Sequence, residues 1–318
     1  MLAIVCPGQG SQTPGFLSSW LEDSSSKELL IRYSEAAGID LIAHGTVSDE
    51  DTIRDTAVAQ PLIVAASLLS GHALELGRLA PEDVLFAGHS VGEVPAAALA
   101  GVLSEEQALQ LIRVRAEGMA EAASAEPTSM AAVVGGVEEE VRAAIEEAGL
   151  TAANANGPGQ IVAAGAAERI GALEENAPAR ARVIPLKVAG AFHTDHMAPA
   201  QEKLAAAVAG FGTSDAAYPL VSNRDGELVA AGQDVLDRLV GQVTRPVRWD
   251  LCMETMRARG VTGILELLPG GTLTGLAKRG LKGVKSFAVK SPEDLEGARS
   301  FIAEHTETAS APSSEDSQ

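Results

Sequence analysis

The feature that most constrains this chain is a serine between two glycines, at a point where a buried strand gives way to a helix. Residues 84–87 form a short apolar run, Gly88-His89-Ser90-Val91-Gly92 follows, and residues 93–99 are compatible with a helix. A sharp turn of this kind uses glycines for close backbone approach and holds the serine hydroxyl out of the sheet. The pattern predicts Ser90 as a nucleophile, although an ordinary Gly-rich turn between strand and helix would also fit these five residues.

Strands and helices alternate around this turn. Residues 2–6 are predicted to form a buried strand that runs into a Gly-rich turn and then a helical region. Residues 58–76 have the length and composition of a helix, and Ser104 has the features of a helix cap. Such alternation predicts an α/β fold with a parallel sheet.

The order of predicted strands and helices changes in the middle of the chain, which predicts an inserted subdomain at 124–190. The order βαββαβ is that of a ferredoxin-like unit, with expected strands at 130–134, 151–155, 160–164 and 182–188 and helices at 138–148 and 167–176. We therefore expect a large domain of residues 1–123 and 191–304. It would resume with helices near 198–209 and 233–243 and strands near 220–222 and 264–267. The polar tail, 305–318, is expected to be disordered.

Composition excludes several classes of function. The 24 basic and 43 acidic residues give a net charge of −19, which argues against binding to nucleic acid. The longest apolar stretches, 61–69 and 94–103, are shorter than a membrane span, and the N-terminal apolar run is too short for a signal peptide. The two cysteines cannot form a disulfide framework. We therefore expect a cytoplasmic protein without a membrane partner.

A serine nucleophile needs a base, and six histidines are available. His193 and His196 are favoured because they lie in a loop after the insert, where catalytic groups of α/β proteins are common. His89 is expected to point away from its neighbour Ser90. The remaining three lie in helical, turn or terminal surroundings: His44, His72 and His305. Two alternatives stay open for the favoured loop, a surface or capping role and a metal site that includes Asp195.

Seven motifs in register resemble the malonyl-CoA:acyl-carrier-protein transacylases of fatty-acid and polyketide synthesis. They are residues 7–12 (PGQGSQ), 88–93 (GHSVGE), 115–119 (RAEGM), 154–160 (NANGPGQ), 191–193 (AFH), 242–249 (QVTRPVRW) and 269–276 (PGGTLTGL). The resemblance covers roughly residues 2–290, and seven motifs in order are far more specific than any one of them. The resemblance implies an α/β-hydrolase-like large domain with a ferredoxin-like insert, which agrees with the α/β domain and the insert predicted above.

The resemblance implies a role for several residues. Ser90 would be the acylated nucleophile and His193 its base, with the imidazole held by main-chain carbonyl contacts and supported by Gln242. Gln9 and Val91 would offer backbone N–H groups to an oxyanion. A plain Gly-rich turn would also explain residues 8–10, whereas a nucleotide-binding fingerprint would need a third glycine where Thr13 stands.

Three more residues would line the substrate site by the same resemblance. Arg115 would hold the free carboxylate of a malonyl group through two parallel hydrogen bonds, although an arginine on a helix surface, like Arg113, is the alternative. Phe192 is the bulky residue with which this family selects malonyl over methylmalonyl, a preference worth about 1–3 kcal/mol. Asn156 would support the site.

The implied reaction is a ping-pong transfer without a metal or other cofactor. Ser90 would take malonyl from malonyl-CoA and pass it to the phosphopantetheine thiol of acyl carrier protein. A basic run without acids, carrying Lys278, Arg279, Lys282 and Lys285, would contact the carrier protein or the CoA phosphates, unless it is only a solvated surface. We expect a monomer.

Two other classes remain open. A serine hydrolase or thioesterase of the α/β-hydrolase type would share Ser90 but would not need Arg115 and would usually have an acidic triad member. A catalytically idle module that binds carrier protein would be expected to lack Ser90 or His193, and both are present. The pathway and the carrier protein cannot be read from the residues.

Overall fold

The computed structural model describes residues 1–306 and contains two five-stranded sheets. The strands of these residues are β1 Leu2–Cys6, β2 Val84–Gly88, β3 Thr128–Gly135, β4 Thr151–Ala155, β5 Gln160–Ala166, β6 Ala181–Pro185, β7 Leu220–Val221, β8 Val247–Arg248, β9 Gly263–Glu266 and β10 Lys285–Ala288. The helices are α1 Ser24–Ala37, α2 Leu41–Thr46, α3 Glu50–Arg54, α4 Thr56–Ala73, α5 Glu93–Leu99, α6 Glu105–Ala125, α7 Glu138–Glu147, α8 Ala167–Glu175, α9 Ala198–Val208, α10 Gly232–Gly241, α11 Trp249–Ala258, α12 Thr272–Gly280 and α13 Leu295–Thr306.

The larger sheet is parallel, with the strand order β10-β9-β1-β2-β7. Every residue of β1 and β2 is buried, because helices cover both faces of a parallel sheet. β1 and β2 pair from Leu2 with Val84 to Cys6 with Gly88. The turns after both strands therefore lie side by side at the carboxyl edge, where open α/β sheets bind their ligands.

The smaller sheet has the order β6-β3-β5-β4-β8. Its first four strands are antiparallel and, with α7 and α8, form the predicted ferredoxin-like unit. The fifth strand, β8, comes from the chain well after the insert and pairs in parallel with β4. The predicted α/β class, with a parallel sheet and a ferredoxin-like insert, is confirmed, and β8 joins the two parts.

Two predicted segments differ from the structure. The strand expected at 182–188 ends at Pro185, because Leu186 and Val188 leave the sheet and line the cavity described below. The disordered tail was placed too early, since residues 305 and 306 belong to α13 and His305 is only 5% exposed. The rest of that predicted tail, 307–318, lies outside the described residues.

Helix α4 explains the apolar composition around residue 60. Within residues 1–306 it is the one helix whose length and composition would allow it to cross a membrane, and it is mostly buried in the protein. It packs against α6 and α1 in the main core. The apolar stretch 61–69 is only the central part of this helix, which was predicted at 58–76 and spans the 18 residues Thr56–Ala73.

The turn after β2 depends on two glycines. A Cβ atom on Gly92 would lie 2.1 Å from the carbonyl oxygen of Cys6, and one on Gly88 would lie 1.9 Å from that of Gly92. These distances are far below van der Waals contact, so no side chain fits at either position. The glycines therefore let the turn after β2 approach the end of β1.

We predict that Gly92→Ala lowers the free energy of unfolding by at least about 1–3 kcal/mol, the cost of overpacking. Gly275→Ala is the matched control, because a Cβ there meets no atom within 4 Å inside α12. The control should gain about 0.5–1 kcal/mol of helix propensity. Urea unfolding measures both, and equal stability of the two variants would contradict the role of Gly92.

Candidate active site

Ser90 lies at the tip of the turn after β2 in a left-handed conformation, with φ of 54°. This region is unfavourable for a residue with a side chain and is held in place by neighbouring contacts. Asn223, which follows β7, receives the Ser90 N–H on its Oδ1 at 2.8 Å and donates from Nδ2 to the Gly88 carbonyl at 2.7 Å. One buried amide thus binds the backbone on both sides of His89 and keeps the Ser90 hydroxyl at the sheet edge.

His193 lies beside Ser90 in the loop before α9. Its Nε2 is 2.7 Å from Ser90 Oγ, and its Nδ1 is 2.9 Å from the main-chain carbonyl oxygen of Gln242. A carbonyl accepts only, so Nδ1 carries the proton and Nε2 is free to accept one from the serine. Burial, with the nearby Arg115 charge, lowers the pKa of His193 to about 3, which keeps the imidazole neutral.

The side chain of Gln242 connects this pair with Arg115. Its Oε1 accepts from Arg115 Nη2 at 2.7 Å, and its Nε2 donates to the Ser90 carbonyl at 3.0 Å and to Glu93. The amide orientation follows from its neighbours, because a guanidinium only donates and a carboxylate only accepts. Gln242 therefore contacts the nucleophile, the base and the arginine at once.

Arg115 is only 1% exposed, on the face of α6 that turns inward. Its Nη1 donates to Gln60 Oε1 at 2.6 Å, and within residues 1–306 its Nε has no hydrogen-bond partner. Burial lowers the pKa of Arg115 to about 10, so the guanidinium stays charged at neutral pH. A buried cation held by neutral amides is suited to an anionic ligand. Arg113, by contrast, is exposed.

A cavity of about 220 Å³ opens onto these groups. Its polar end includes Gln9, Val91 and Gln60, and Val91 lies in the first turn of the helical segment that follows Ser90. The amide groups at a helix start lack partners inside the helix. The apolar wall is formed by Met119, Met130, Ala132, Val162, Leu186, Val188, Phe192, Leu273 and Leu276. The cavity thus joins a hydrophobic wall to a few convergent polar groups.

His89 was expected to point away from Ser90. In the structure its side chain lines the cavity. Its Nε2 is 2.8 Å from Asn156 Oδ1, and its ring meets the edge of Trp249 at a centroid distance of 5.7 Å. The alternation of strand and turn gave no sign of this, since Asn156 comes from the turn after β4 in the other sheet. The ring is held by Asn156, whereas the contact to Ser90 Oγ comes from His193.

His196 and His305 have partners outside the site. His196 Nδ1 is 3.0 Å from Glu126 at the surface, and His305 Nδ1 is 2.8 Å from the Thr262 hydroxyl. Among residues 1–306, no group of three or more His, Cys, Asp or Glu side chains is arranged to hold a metal ion. The imidazole of His193 is engaged by Ser90 and Gln242 rather than by Asp195.

Three residues of the site escaped the sequence analysis: Gln60, Glu93 and Asn223. Glu93 ends the GHSVGE motif, so its position was visible, yet nothing in the spacing showed that its carboxylate turns inward. Asn223 lies two residues after a two-residue strand and contacts a turn 133 positions earlier in the chain. Gln60 lies inside the apolar α4, where a buried polar residue signals a specific partner.

The basic run is split by the structure. Lys278 and Arg279 are exposed in the last turn of α12, the helix whose Leu273 and Leu276 line the cavity. Arg279 donates to Gln160 at 3.2 Å. Lys282 is exposed beyond the helix, whereas Lys285 begins β10 and pairs with Glu304. The expected run without acids therefore has an acidic neighbour at Lys285.

A serine beside a neutral histidine, on an α/β scaffold and next to a buried arginine, defines an enzyme that can form an acyl-serine. The family model described as "Acyl transferase domain" matches residues 3–300. The chain therefore belongs to the acyl transferase domain family.

Relatives in this family are similar over nearly the whole chain. The malonyl CoA-acyl carrier protein transacylase of Mycobacterium tuberculosis is 51% identical over 299 residues, covering 93% of this chain and 98% of the relative. The crystal structure of MCAT from the same organism superposes with a TM-score of 0.90 at 50% identity, covering 94% and 99%. The malonyl-transacylase of the complex PlMCAT:AntF, solved with its type II PKS acyl-carrier protein, has a TM-score of 0.85 at 32% identity, covering 94% and 99%.

We predict that a serine-directed fluorophosphonate labels Ser90 at a rate that stays constant between pH 8 and pH 5. The reason is the pKa of His193, which burial lowers from 6.5 to about 3, so the base remains unprotonated over this range. A histidine of ordinary pKa would slow labelling about 30-fold at pH 5. The labelling rate is measured by intact mass at each pH, and Ser90→Ala is the control that should not be labelled. A labelling rate that falls with a midpoint near pH 6.5 would contradict the prediction.

Proposed function

We propose that this protein transfers the malonyl group of malonyl-CoA to the phosphopantetheine thiol of acyl carrier protein, through a malonyl ester on Ser90. The buried Arg115 beside the Ser90–His193 pair carries the proposal, because a simple acyl group would not need a buried guanidinium. The names of the relatives reported above point to the same substrates.

The first half-reaction forms the ester. Ser90 Oγ attacks the thioester carbonyl carbon as its proton passes to His193 Nε2, and the negative charge on the oxygen is stabilised by the backbone N–H groups of Gln9 and Val91. Each such donor is worth about 3–4 kcal/mol in serine enzymes. The C–S bond then breaks, and the CoA sulfur leaves with the proton from His193.

The second half-reaction reverses these steps with a new thiol. The phosphopantetheine sulfur loses its proton to His193 and attacks the ester carbonyl, and Ser90 Oγ regains a proton as the C–O bond breaks. Each step exchanges one acyl bond for another, so the chemistry needs neither a metal nor an organic cofactor.

Arg115 and Phe192 would select the acyl group. Two parallel hydrogen bonds from the guanidinium orient the malonyl carboxylate and with it the ester. Phe192, 6% exposed in the cavity wall, leaves less room for the extra methyl of methylmalonyl, a discrimination of about 1–3 kcal/mol. Asn156 supports this end of the cavity through His89.

The remaining parts of the proposal concern organisation. Residues 1–123 and 191–304 would form the acyltransferase domain of a monomer, with residues 124–190 as its subdomain. A cytoplasmic enzyme fits Cys6 and Cys252, both of which are buried and free.

The basic residues near α12 are proposed to receive the acidic carrier protein. The helix leads from the cavity wall to Lys278 and Arg279, and Lys282 continues the exposed positive surface. A local patch of this kind attracts an acidic partner in spite of the net charge of −19.

Intact mass after incubation with malonyl-CoA tests the reaction. We expect a malonyl adduct that disappears in Ser90→Ala and forms about 100-fold more slowly in Arg115→Ala, since two charge-assisted hydrogen bonds are lost. Arg113→Ala on the same helix is the control and should behave like the parent protein. Acetyl-CoA and methylmalonyl-CoA, run in parallel, should acylate Ser90 at a measurable but slower rate.

Two other outcomes would replace this proposal. Release of CoA without an adduct would show a hydrolase or thioesterase. A protein with neither adduct nor CoA release would be an idle binding module.

Charge reversal tests the docking patch. We predict that Lys278→Glu with Lys282→Glu raises the KM for carrier protein about tenfold at low salt, and that added salt removes the difference. Lys27→Glu with Lys203→Glu, two exposed positions on α1 and α9, matches the change of charge. An equal KM in both double variants would reject the patch, and the rate of Ser90 malonylation should be unchanged in each.

A further inference from the structure

Glu93 is a buried acid next to the active site that the reaction described above does not use. It begins α5, three residues after Ser90, and is 4% exposed. Its Oε1 accepts from the Asn223 backbone N–H at 2.7 Å, and its Oε2 accepts from Gln242 Nε2. Both oxygens thus face N–H donors.

These contacts fit the ionised form of the side chain. Burial raises the pKa of the Glu93 carboxyl above its ordinary value, and the hydrogen bonds from Asn223 and Gln242 offset only part of that shift. A protonated acid would turn its hydroxyl toward one of the two N–H donors and lose that hydrogen bond. The carboxylate is therefore matched to both partners, and across Gln242 it balances the buried charge of Arg115.

Asn223 connects Glu93 with the nucleophile. Asn223 gives its own N–H to Glu93 and uses its side-chain amide to bind the Ser90 N–H and the Gly88 carbonyl. Asn223 therefore links the Glu93 carboxylate to the strained turn at Ser90.

Gln242 connects Glu93 with the base and the arginine. Gln242 donates to Glu93 from Nε2, accepts from Arg115 on Oε1, and accepts from His193 on its main-chain oxygen. Displacement of this amide would move both the imidazole and the guanidinium.

We propose that Glu93 is a positioning residue whose carboxylate fixes Asn223 and Gln242 and thereby holds Ser90, His193 and Arg115 in one geometry. It touches none of the reacting atoms. The inference rests on the proposed function only where malonyl transfer is the readout, since the reactivity of Ser90 can be measured without that substrate.

Glu93→Gln removes the charge and keeps the shape. A glutamine offers one acceptor and one NH₂ group in place of two acceptors, so either Asn223 or Gln242 faces another donor and must move. We expect labelling of Ser90 by a fluorophosphonate to slow about 30-fold. Acylation by saturating malonyl-CoA and by saturating acetyl-CoA should slow by a similar factor, because Ser90 and His193 serve both.

The matched control is Glu266→Gln. Like Glu93, Glu266 is a buried acid. It is the last residue of β9, and its two oxygens accept from the N–H groups of Leu273 and Thr274 at 2.8 Å. Its loss should lower the melting temperature in the same way while the labelling rate of Ser90 changes less than threefold.

The results separate the possible roles of Glu93. A lower melting temperature in Glu93→Gln with unchanged rates would show a purely structural role and overturn the proposal. Slowing with malonyl-CoA alone would show an effect confined to Arg115 and would also overturn it. If Glu93→Gln does not fold, Glu93→Asp keeps the charge but reaches one donor only, and the same rates in that variant decide. Fluorophosphonate labelling stays informative even if the parent protein forms no malonyl adduct.

Discussion

The hydrogen bonds of one glutamine, Gln242, set the geometry of this active site. Two charges are buried within reach of its side-chain amide, the Arg115 cation and the Glu93 carboxylate, and each alone would be costly to remove from water. Gln242 separates them, accepting from one and donating to the other. Since a guanidinium cannot accept and a carboxylate cannot donate, the amide has a single orientation that satisfies both. The main-chain oxygen of the same residue accepts from His193 Nδ1, which fixes the tautomer of the imidazole.

Among residues 1–306, four residues other than glycine have a positive φ, and two of them belong to the candidate site. Ser90 and His193 both have positive φ, 54° and 62°, a conformation that costs a residue with a side chain of order 1–3 kcal/mol. At Ser90 the strain is opposed by Asn223, which satisfies backbone groups that the sheet no longer pairs. The glycines at 88 and 92 remove the steric obstacle, because neither position has room for a Cβ atom. A rigid scaffold with satisfied polar groups therefore holds a conformation that a free loop would abandon.

The sequence predicted the parts of the molecule whose signals are local. β2, the turn at Ser90 and the βαββαβ insert follow from apolar periodicity and glycine spacing. The loop after the insert favoured His193 and His196, and the resemblance chose His193 and added Arg115. Asn223 and Glu93 were missed because their role lies in hydrogen bonds between segments more than 100 residues apart, which leave no periodicity. β8 was missed because its two residues, Val247 and Arg248, do not form an apolar run. His305 was misplaced because a short helix near a polar tail looks like part of that tail until its packing is known.

The residues in and near the cavity include positive charges, although the molecule as a whole is strongly negative. With a net charge of −19, the protein repels acidic substrates at long range, so attraction must come from local groups within about one Debye length, roughly 10 Å. The described residues provide positive charge at two depths: the exposed Lys278 and Arg279 at the end of α12, and the buried Arg115 in the lining of the cavity. α12 links them, because its first turns form the cavity wall and its last turn carries Lys278 and Arg279. An anionic thioester would therefore meet a screened surface cation first and an unscreened one only after losing its water, which places the stronger discrimination at Arg115.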